Sequence, residues 1–410
     1  MRDRPKESHA VKLLHITNAR IPSEKAHPYQ ILKMCEAFAK NGMDVELVVP
    51  FRVQTNKRMQ AIDDIWQYYG VKDKFRITTL PSLDLIFVGS YLPSWIEYLL
   101  FYLQASTFYV FAVLYSLLRK AEIIYSRDPE FLFILSLIKP SWRPRMYYEA
   151  HTFPGSRIGK WLRLWVGRRI GGLIVITNKL KALYTELGIP EDKISVARDG
   201  VDLQRFREET DKEKAREELG LPIDKQIVCY TGHLFPWKGV YSLAGSAKLL
   251  RQCLFLVVGG MDDDIRRFQD YLKAEDISNV EVVGYVQPSI VPDYLFAADV
   301  LVLPNSAKAK IASHYTSPLK LFEYMASRRP IVASDLPSLR EVLRDGENAI
   351  LVEPDDPEAL AEGIQRVLDD PDLAKRISEQ AYSEVRQYSW EGRAKTILEF
   401  INQGPSNKRL

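Results

Sequence analysis

Cysteine is scarce in this chain, net charge is small, and no segment is repeated or of low complexity. Among 410 residues there are three cysteines, Cys35, Cys229 and Cys253, each alone in an apolar run. With no CxxC and no His/Cys cluster, a disulfide framework or thiolate zinc site finds no support. The three read as small buried hydrophobes of a reducing compartment. A formal net charge of +3 argues against a dedicated nucleic-acid binder, which carries a strong basic footprint. No GxGxxG follows the first strand-like run, which speaks against a dinucleotide oxidoreductase. No Ser/His/Asp arrangement calls for a serine nucleophile. The first ten residues are polar and charged, and the run Val11 to Thr17 is too short for the apolar region of a secretory signal. A cytoplasmic protein is the expectation.

What the chain does have is alternation. Short runs rich in Ile, Val, Leu and Tyr alternate with longer amphipathic stretches. Strands are predicted at Val11–Thr17, Asp44–Pro50, Phe75–Pro81, Ala121–Arg127, Arg145–His151, Leu173–Thr177 and Lys193–Arg198. A second set is predicted at Gln226–Thr231, Cys253–Gly259, Val280–Val286, Val300–Pro304, Pro330–Ser334 and Ala349–Glu353. Continuous apolar strands separated by helical patterns indicate βαβ units and parallel sheets covered on both faces. The expected class is α/β, two Rossmann-like doubly wound domains facing a cleft, with ligands at the carboxyl ends of the strands. Expected boundaries are 1–204 for an N-terminal acceptor-side domain and 205–387 for a C-terminal nucleotide-binding domain. A C-terminal helix within 388–410 is expected to cross back to the first domain. A charge-rich stretch at about 203–210 reads as the linker.

Four features of the second half converge on a nucleoside diphosphate. The segment from Tyr230 to Gly239 ends a strand in Gly232, passes His233, and places Lys238-Gly239 before a helix, aiming N–H groups and an ammonium at an anion. In Ser317-Pro318-Leu319-Lys320, Ser317 suits an N-cap and Pro318 the first helical position, leaving the N–H groups of Leu319 and Lys320 for phosphate. Glu323 lies one turn down the same face, where a carboxylate can accept two ribose hydroxyls. Gly259-Gly260 permits close backbone approach, and Tyr285, after Gly284, falls at the depth of a base pocket. Asp262-Asp263-Asp264 resembles a metal motif but reads as the acidic first turn of a helix, so no metal and no cofactor are expected.

Taken in order, four segments carry a resemblance. They are Arg198 to Asp202, the Gly232 to Gly239 loop, Leu321 to Ala326 followed by Pro330 to Ser334, and Asp345 to Ala349. Together they resemble a family 4 glycosyltransferase of the GT-B fold over nearly the whole chain. The resemblance implies a nucleotide-sugar donor, retention of configuration and no obligatory metal. It implies that Lys238 contacts donor phosphate, Glu323 the ribose, and His151 the region of the donor sugar. These three are the catalytic candidates, and the departing diphosphate would help deprotonate the acceptor. Two departures stand out: the family's usual Arg after the loop Gly is His233, and the first of its usual two Glu residues falls at Tyr315, beside His314. Imidazole is a weaker anion partner than guanidinium.

On the acceptor side, the candidates are Lys25 and His27, in a loop that either lines the cleft or is simply solvated, and Asp128, after the strand ending at Arg127. Two segments point to a membrane surface. Ser94–Leu118 is apolar and aromatic but interrupted by Glu97, Gln104, Ser106 and Thr107, and it falls between strands of one sheet. A core or interfacial helix is therefore expected rather than a span. Arg157–Arg169 interleaves cations with Trp161 and Trp165, either as an interfacial helix or as a helix packing its Trp pair on the sheet. The reading is a glycosyltransferase acting on a glycan or lipid-linked acceptor, with no nucleic-acid partner, and peripheral on an anionic membrane face. The other readings are a GT-B sugar-nucleotide epimerase and a non-catalytic nucleotide-sugar binder.

Overall fold

A computed structural model describes residues 10–89, 93–206, 211–309 and 317–404 of the chain. The first seven described strands are β1 (Lys12–Ile16), β2 (Asp44–Pro50), β3 (Arg76–Leu80), β4 (Ile123–Ser126), β5 (Met146–Ala150), β6 (Gly172–Val175) and β7 (Ile194–Val196). They form one parallel sheet in the order β3-β2-β1-β4-β5-β6-β7. Six more are β8 (Ile227–Thr231), β9 (Leu254–Val258), β10 (Val280–Gly284), β11 (Val300–Leu303), β12 (Ile331–Ser334) and β13 (Ile350–Val352). These form a second parallel sheet, β10-β9-β8-β11-β12-β13. Both orders start in the middle, run to one edge, then return past the start. That is the doubly wound pattern expected from the alternation.

The continuous apolar runs have a simple cause. Successive side chains of a strand point to opposite faces. Along β8, Ile227 and Cys229 enter one core, with Leu256 and Val258 of β9. Val228 and Tyr230 enter the other, with Phe255 and Val257. Helices cover both faces, so most strand positions are apolar, and the buried exceptions such as Glu46 of β2 and Glu149 of β5 have hydrogen-bond partners. All three cysteines are free and buried, as small hydrophobes should be.

The chain divides into two compact units. The first comprises residues 1–175, 181–197 and 394–410; the second comprises 176–180 and 198–393. The helix Trp390–Gln403 leaves the second unit and finishes in the first, where Phe400 lies 6.4 Å from the ring of Tyr147. The stretch read as a linker begins with a 3-10 turn, Leu203–Phe206, whose Phe206 is buried in the core of the second unit.

In the first unit the helix Ser94–Leu118 is long and apolar enough to cross a membrane by length and composition. One stripe of it is packed against the protein: Gln104, Phe108, Ala112 and Ser116, four residues apart, are all fully buried. The Tyr115 hydroxyl donates to Glu46 of β2 and accepts from Arg119, fixing the far end. The opposite stripe, including Trp95, Tyr98, Tyr102, Leu114 and Leu118, is exposed.

The turn after β8 closes through Gly239, whose φ is +77°. A Cβ there would lie 1.6 Å from the carbonyl oxygen of Pro304. Gly239→Ala is expected to destabilise the protein by about 3 kcal/mol, from left-handed backbone strain plus overpacking. Urea unfolding measures this, and an unchanged midpoint would show that the loop relaxes without cost.

Candidate functional site

In the second unit, neighbouring strands end in glycines with left-handed or mirror-region backbone: Gly232 after β8 (φ +129°), Gly259 after β9 (+115°) and Gly284 closing β10 (+82°). Their backbones bond across the sheet end, Gly232 N–H to Val258 O at 2.8 Å and Gly259 N–H to Gly284 O at 2.7 Å. A Cβ on Gly259 would lie 2.5 Å from Gly232 O. Side chains are thus excluded from this edge, and a ligand can approach bare backbone. Tyr285 follows directly on the last of these glycines.

From Gly232 the loop forms a stack. The His233 ring lies on Phe235 (5.1 Å, 19°) and Phe235 on Trp237 (6.2 Å, 18°). The Lys238 ammonium sits 4.0 Å from the Trp237 ring. Burial lowers the Lys238 ammonium to a pKa of about 8. The Tyr230 hydroxyl donates to the His233 carbonyl at 2.7 Å, tying the loop to its strand.

The helix Leu319–Ala326 brings the remaining donor candidates. Its N-cap is Pro318, not Ser317. The expected Ser317 cap fails because its hydroxyl accepts the Asp199 N–H instead, at 3.2 Å. Leu319 and Lys320 still occupy the first turn, where N–H groups have no helical acceptor. Tyr324 Oη accepts the Thr231 N–H at 2.8 Å, locking this helix to the end of β8. Lys320 thereby comes next to Gly232. Burial raises the Glu323 carboxyl, and Arg205 opposes that rise from 3.2 Å. Arg205 also donates to the Pro288 carbonyl. Sequence reasoning missed Arg205, since it lies in the charge-rich stretch read as linker. Tyr315 and His314 lie outside the described residues. Asp262, Asp263 and Asp264 open the helix Asp262–Ala274, where Asp263 and Asp264 pair with Arg266 and Arg267.

In the first unit a second cluster gathers at the ends of β1, β4 and β5. His151 Nε2 bonds to Glu149 and lies 3.3 Å from Gln30 Nε2, while Arg127 donates to Gln30 Oε1 at 2.9 Å. Glu149 is buried and also accepts from the Tyr125 hydroxyl. It orients His151, a role the sequence did not reveal. His27 joins this group electrostatically. His27 is exposed at the surface, yet its crowded ring, with Arg127 and Lys25 nearby, is held well below the usual imidazole range. Lys25 itself is exposed at the N-cap of the helix Ala26–Lys40.

Asp128 accepts the Asn18 N–H at 2.6 Å, yet burial raises its carboxyl to about 7. A carboxyl with a raised native pKa loses stability for the fold as pH climbs from its ordinary value towards the native one. Asp128→Asn does not titrate. Its melting temperature should therefore gain on the wild type between about pH 5 and about pH 8. A constant difference across that range would remove Asp128 as the titrating group.

A model of the Glycosyltransferase Family 4 matches residues 29–205, and one of the glycosyl transferases group 1 matches residues 211–384. An alpha-D-kanosaminyltransferase from Streptomyces kanamyceticus is 27% identical over 250 residues, 59% of this chain and 61% of that protein. The chain thus spans less than two thirds of that relative's length. A D-inositol 3-phosphate glycosyltransferase from Corynebacterium glutamicum is 26% identical over 302 residues, 67% of this chain and 70% of that protein. Among solved structures, a sucrose-phosphate synthase from Thermosynechococcus elongatus superposes with a TM-score of 0.76 at 19% identity, covering 96% of this chain and 98% of that one. The Anabaena protein HepE, solved with UDP-glucose, gives 0.72 at 16% identity, covering 95% and 99%. The fold is GT-B. With two consecutive family models spanning most of the sequence, the chain belongs to the family 4 glycosyltransferases.

Proposed function

We propose that this protein transfers a glycosyl group from a nucleoside-diphosphate sugar to a hydroxyl acceptor. The observation that carries the reading is the edge of the second sheet, where bare glycine backbone, a half-buried Lys238 and a helix N-terminus converge. That combination suits a diphosphate. Glu323, paired with Arg205, retains lone pairs for two vicinal hydroxyls, as a ribose offers. HepE is described in complex with UDP and with UDP-glucose, which supports a donor of this class.

Transfer follows from charge. Breaking the bond between sugar and diphosphate leaves negative charge on the phosphate, and Lys238 stabilises it where water is largely excluded. We read the reaction as retaining, with the departing diphosphate accepting the acceptor's proton. His151, oriented by Glu149, serves to position the sugar. No metal takes part in this scheme. Glu323→Ala should weaken nucleoside diphosphate binding by roughly 10- to 100-fold, as expected for a hydrogen bond to a charged group. Calorimetry against UDP, GDP and ADP measures it, and unchanged affinity removes Glu323 from the site. Lys238→Ala should lower turnover more than stability, and activity should survive EDTA. Loss on chelation, restored by Mg²⁺, would overturn the metal-free scheme.

The acceptor we read as lipid-linked, at an anionic membrane. Support comes from the exposed stripe of the helix Ser94–Leu118, from Leu137 and Ile138 at the end of the helix Pro129–Ile138, and from the helix Arg157–Arg169. Within the last, Trp165 packs on Phe133 at 4.8 Å, whereas Trp161 is 54% exposed. Arg157 and Arg169 are exposed near it, while Arg163 is half-buried beside Tyr148 and Tyr184. Relatives named for D-inositol 3-phosphate set a second reading, a small phosphorylated polyol. The exposed apolar stripe favours the lipid. Arg157→Glu with Arg169→Glu should weaken co-sedimentation with anionic liposomes by roughly tenfold or more, at about 1 kcal/mol for each cation removed. Turnover on a water-soluble acceptor analogue should be kept. A wild-type protein that does not co-sediment at low salt would leave the soluble acceptor.

A further inference from the structure

Two ammonium groups lie together in the second unit. One is Lys238, in the loop after β8. The other is Lys320, on the first turn of the helix Leu319–Ala326, only 8% exposed. The Lys320 ammonium has no hydrogen-bond partner among the described residues. It rests 3.7 Å from the centre of the Tyr230 ring and 3.7 Å from where a side chain on Gly232 would begin. It is thus held beside the bare backbone of the glycine edge, within reach of the Lys238 charge.

Such a pair is costly in an empty site. A buried cation without a hydrogen-bonding partner is strongly disfavoured, and a second cation beside it adds repulsion. The face of Tyr230 offsets part of this but supplies no acceptor atom. The lysine stem could carry its charge to solvent, as buried stems usually do. Here the helix bonded to β8 through Tyr324 keeps it inside. Burial and Lys238 both depress its affinity for a proton, and among the described residues no carboxylate counters them. His233, the other basic side chain of the loop, is stacked on Phe235.

We propose that the Lys320 side chain, and not its backbone alone, is a ligand of the diphosphate, forming with Lys238 a two-ammonium clamp around it. One cation comes from the loop after β8 and the other from the helix after β11. The bound anion supplies the acceptor oxygens that Lys320 lacks and screens the two charges from each other. This inference rests on the donor reading above and assigns the charge that reading leaves to backbone N–H groups.

The test compares Lys320→Met, which keeps length and helix propensity, with Lys320→Arg. Binding is measured by calorimetry with whichever of UDP, GDP or ADP the wild type binds, and with the matching nucleoside; melting temperature is measured without ligand. Lys320→Met should weaken the nucleoside diphosphate about tenfold or more, as for loss of a charge-assisted hydrogen bond, while the nucleoside changes less than about twofold. Lys320→Arg should recover much of the affinity. Without ligand, Lys320→Met should melt higher than the wild type, because an unpaired buried charge is gone. A structural lysine would do the reverse, melting lower and losing nucleoside and diphosphate affinity alike. That outcome, or unchanged diphosphate affinity, overturns the proposal. A wild type that binds no nucleoside diphosphate overturns the donor reading itself.

Discussion

The contact between the backbone of Gly232 and that of Gly259 governs the second unit. Because a Cβ on Gly259 would strike Gly232 O, the two loops can meet only as glycine. That approach aligns the ends of β8 and β9, and the Gly259 to Gly284 bond extends the alignment to β10. The loop that carries Lys238, the glycine edge and Tyr285 are positioned by one sheet end. The helix Leu319–Ala326 is then held to the same end by Tyr324. Each candidate donor group therefore sits on a rigid element, which suits chemistry that depends on placement more than on a reactive side chain.

Charge is handled differently at the two clusters. Glu323 has Arg205 as counter-ion, which offsets part of the cost of its burial within the unit. In the first unit, Glu149 has Tyr125 and His151, and the neighbouring His27 stays neutral among cations. At the glycine edge, the Lys320 ammonium has no hydrogen-bond partner among the described residues. One edge carries its own counter-charges, and the other presents its nitrogen donors to something that arrives.

Legibility in the sequence followed the range of the interaction. The thirteen described strands could be read because a strand covered on both faces is a local apolar run, and the observed ends fall within a few residues of those expected. The Gly232 to Gly239 loop was legible for the same reason, since its geometry lies within one short segment. Arg205 and Glu323 are 118 residues apart, and no periodicity announces such a pair. Ser317 looked like a helix cap by local rules, but the distant Asp199 N–H takes its hydroxyl. Lys320 was readable for its place on the helix and not for its buried ammonium, because a lysine is ordinarily solvated. Ser94–Leu118 was legible as an apolar, aromatic stretch with a few polar interruptions. Only the packed stripe reveals which face it turns to the sheet.

That helix has a consequence for how the chain is made. A segment of its length and hydropathy competes, as it leaves the ribosome, between folding and insertion into a bilayer. Two of its docking partners, Glu46 on β2 and Thr78 on β3, precede it in the chain, while Phe131, against Tyr109, follows it. The sheet edge that receives Tyr115 is therefore synthesised first, and N-terminal structure forms first during synthesis. Order along the gene thus favours docking over insertion, and leaves the outer stripe apolar without committing the helix to the membrane interior.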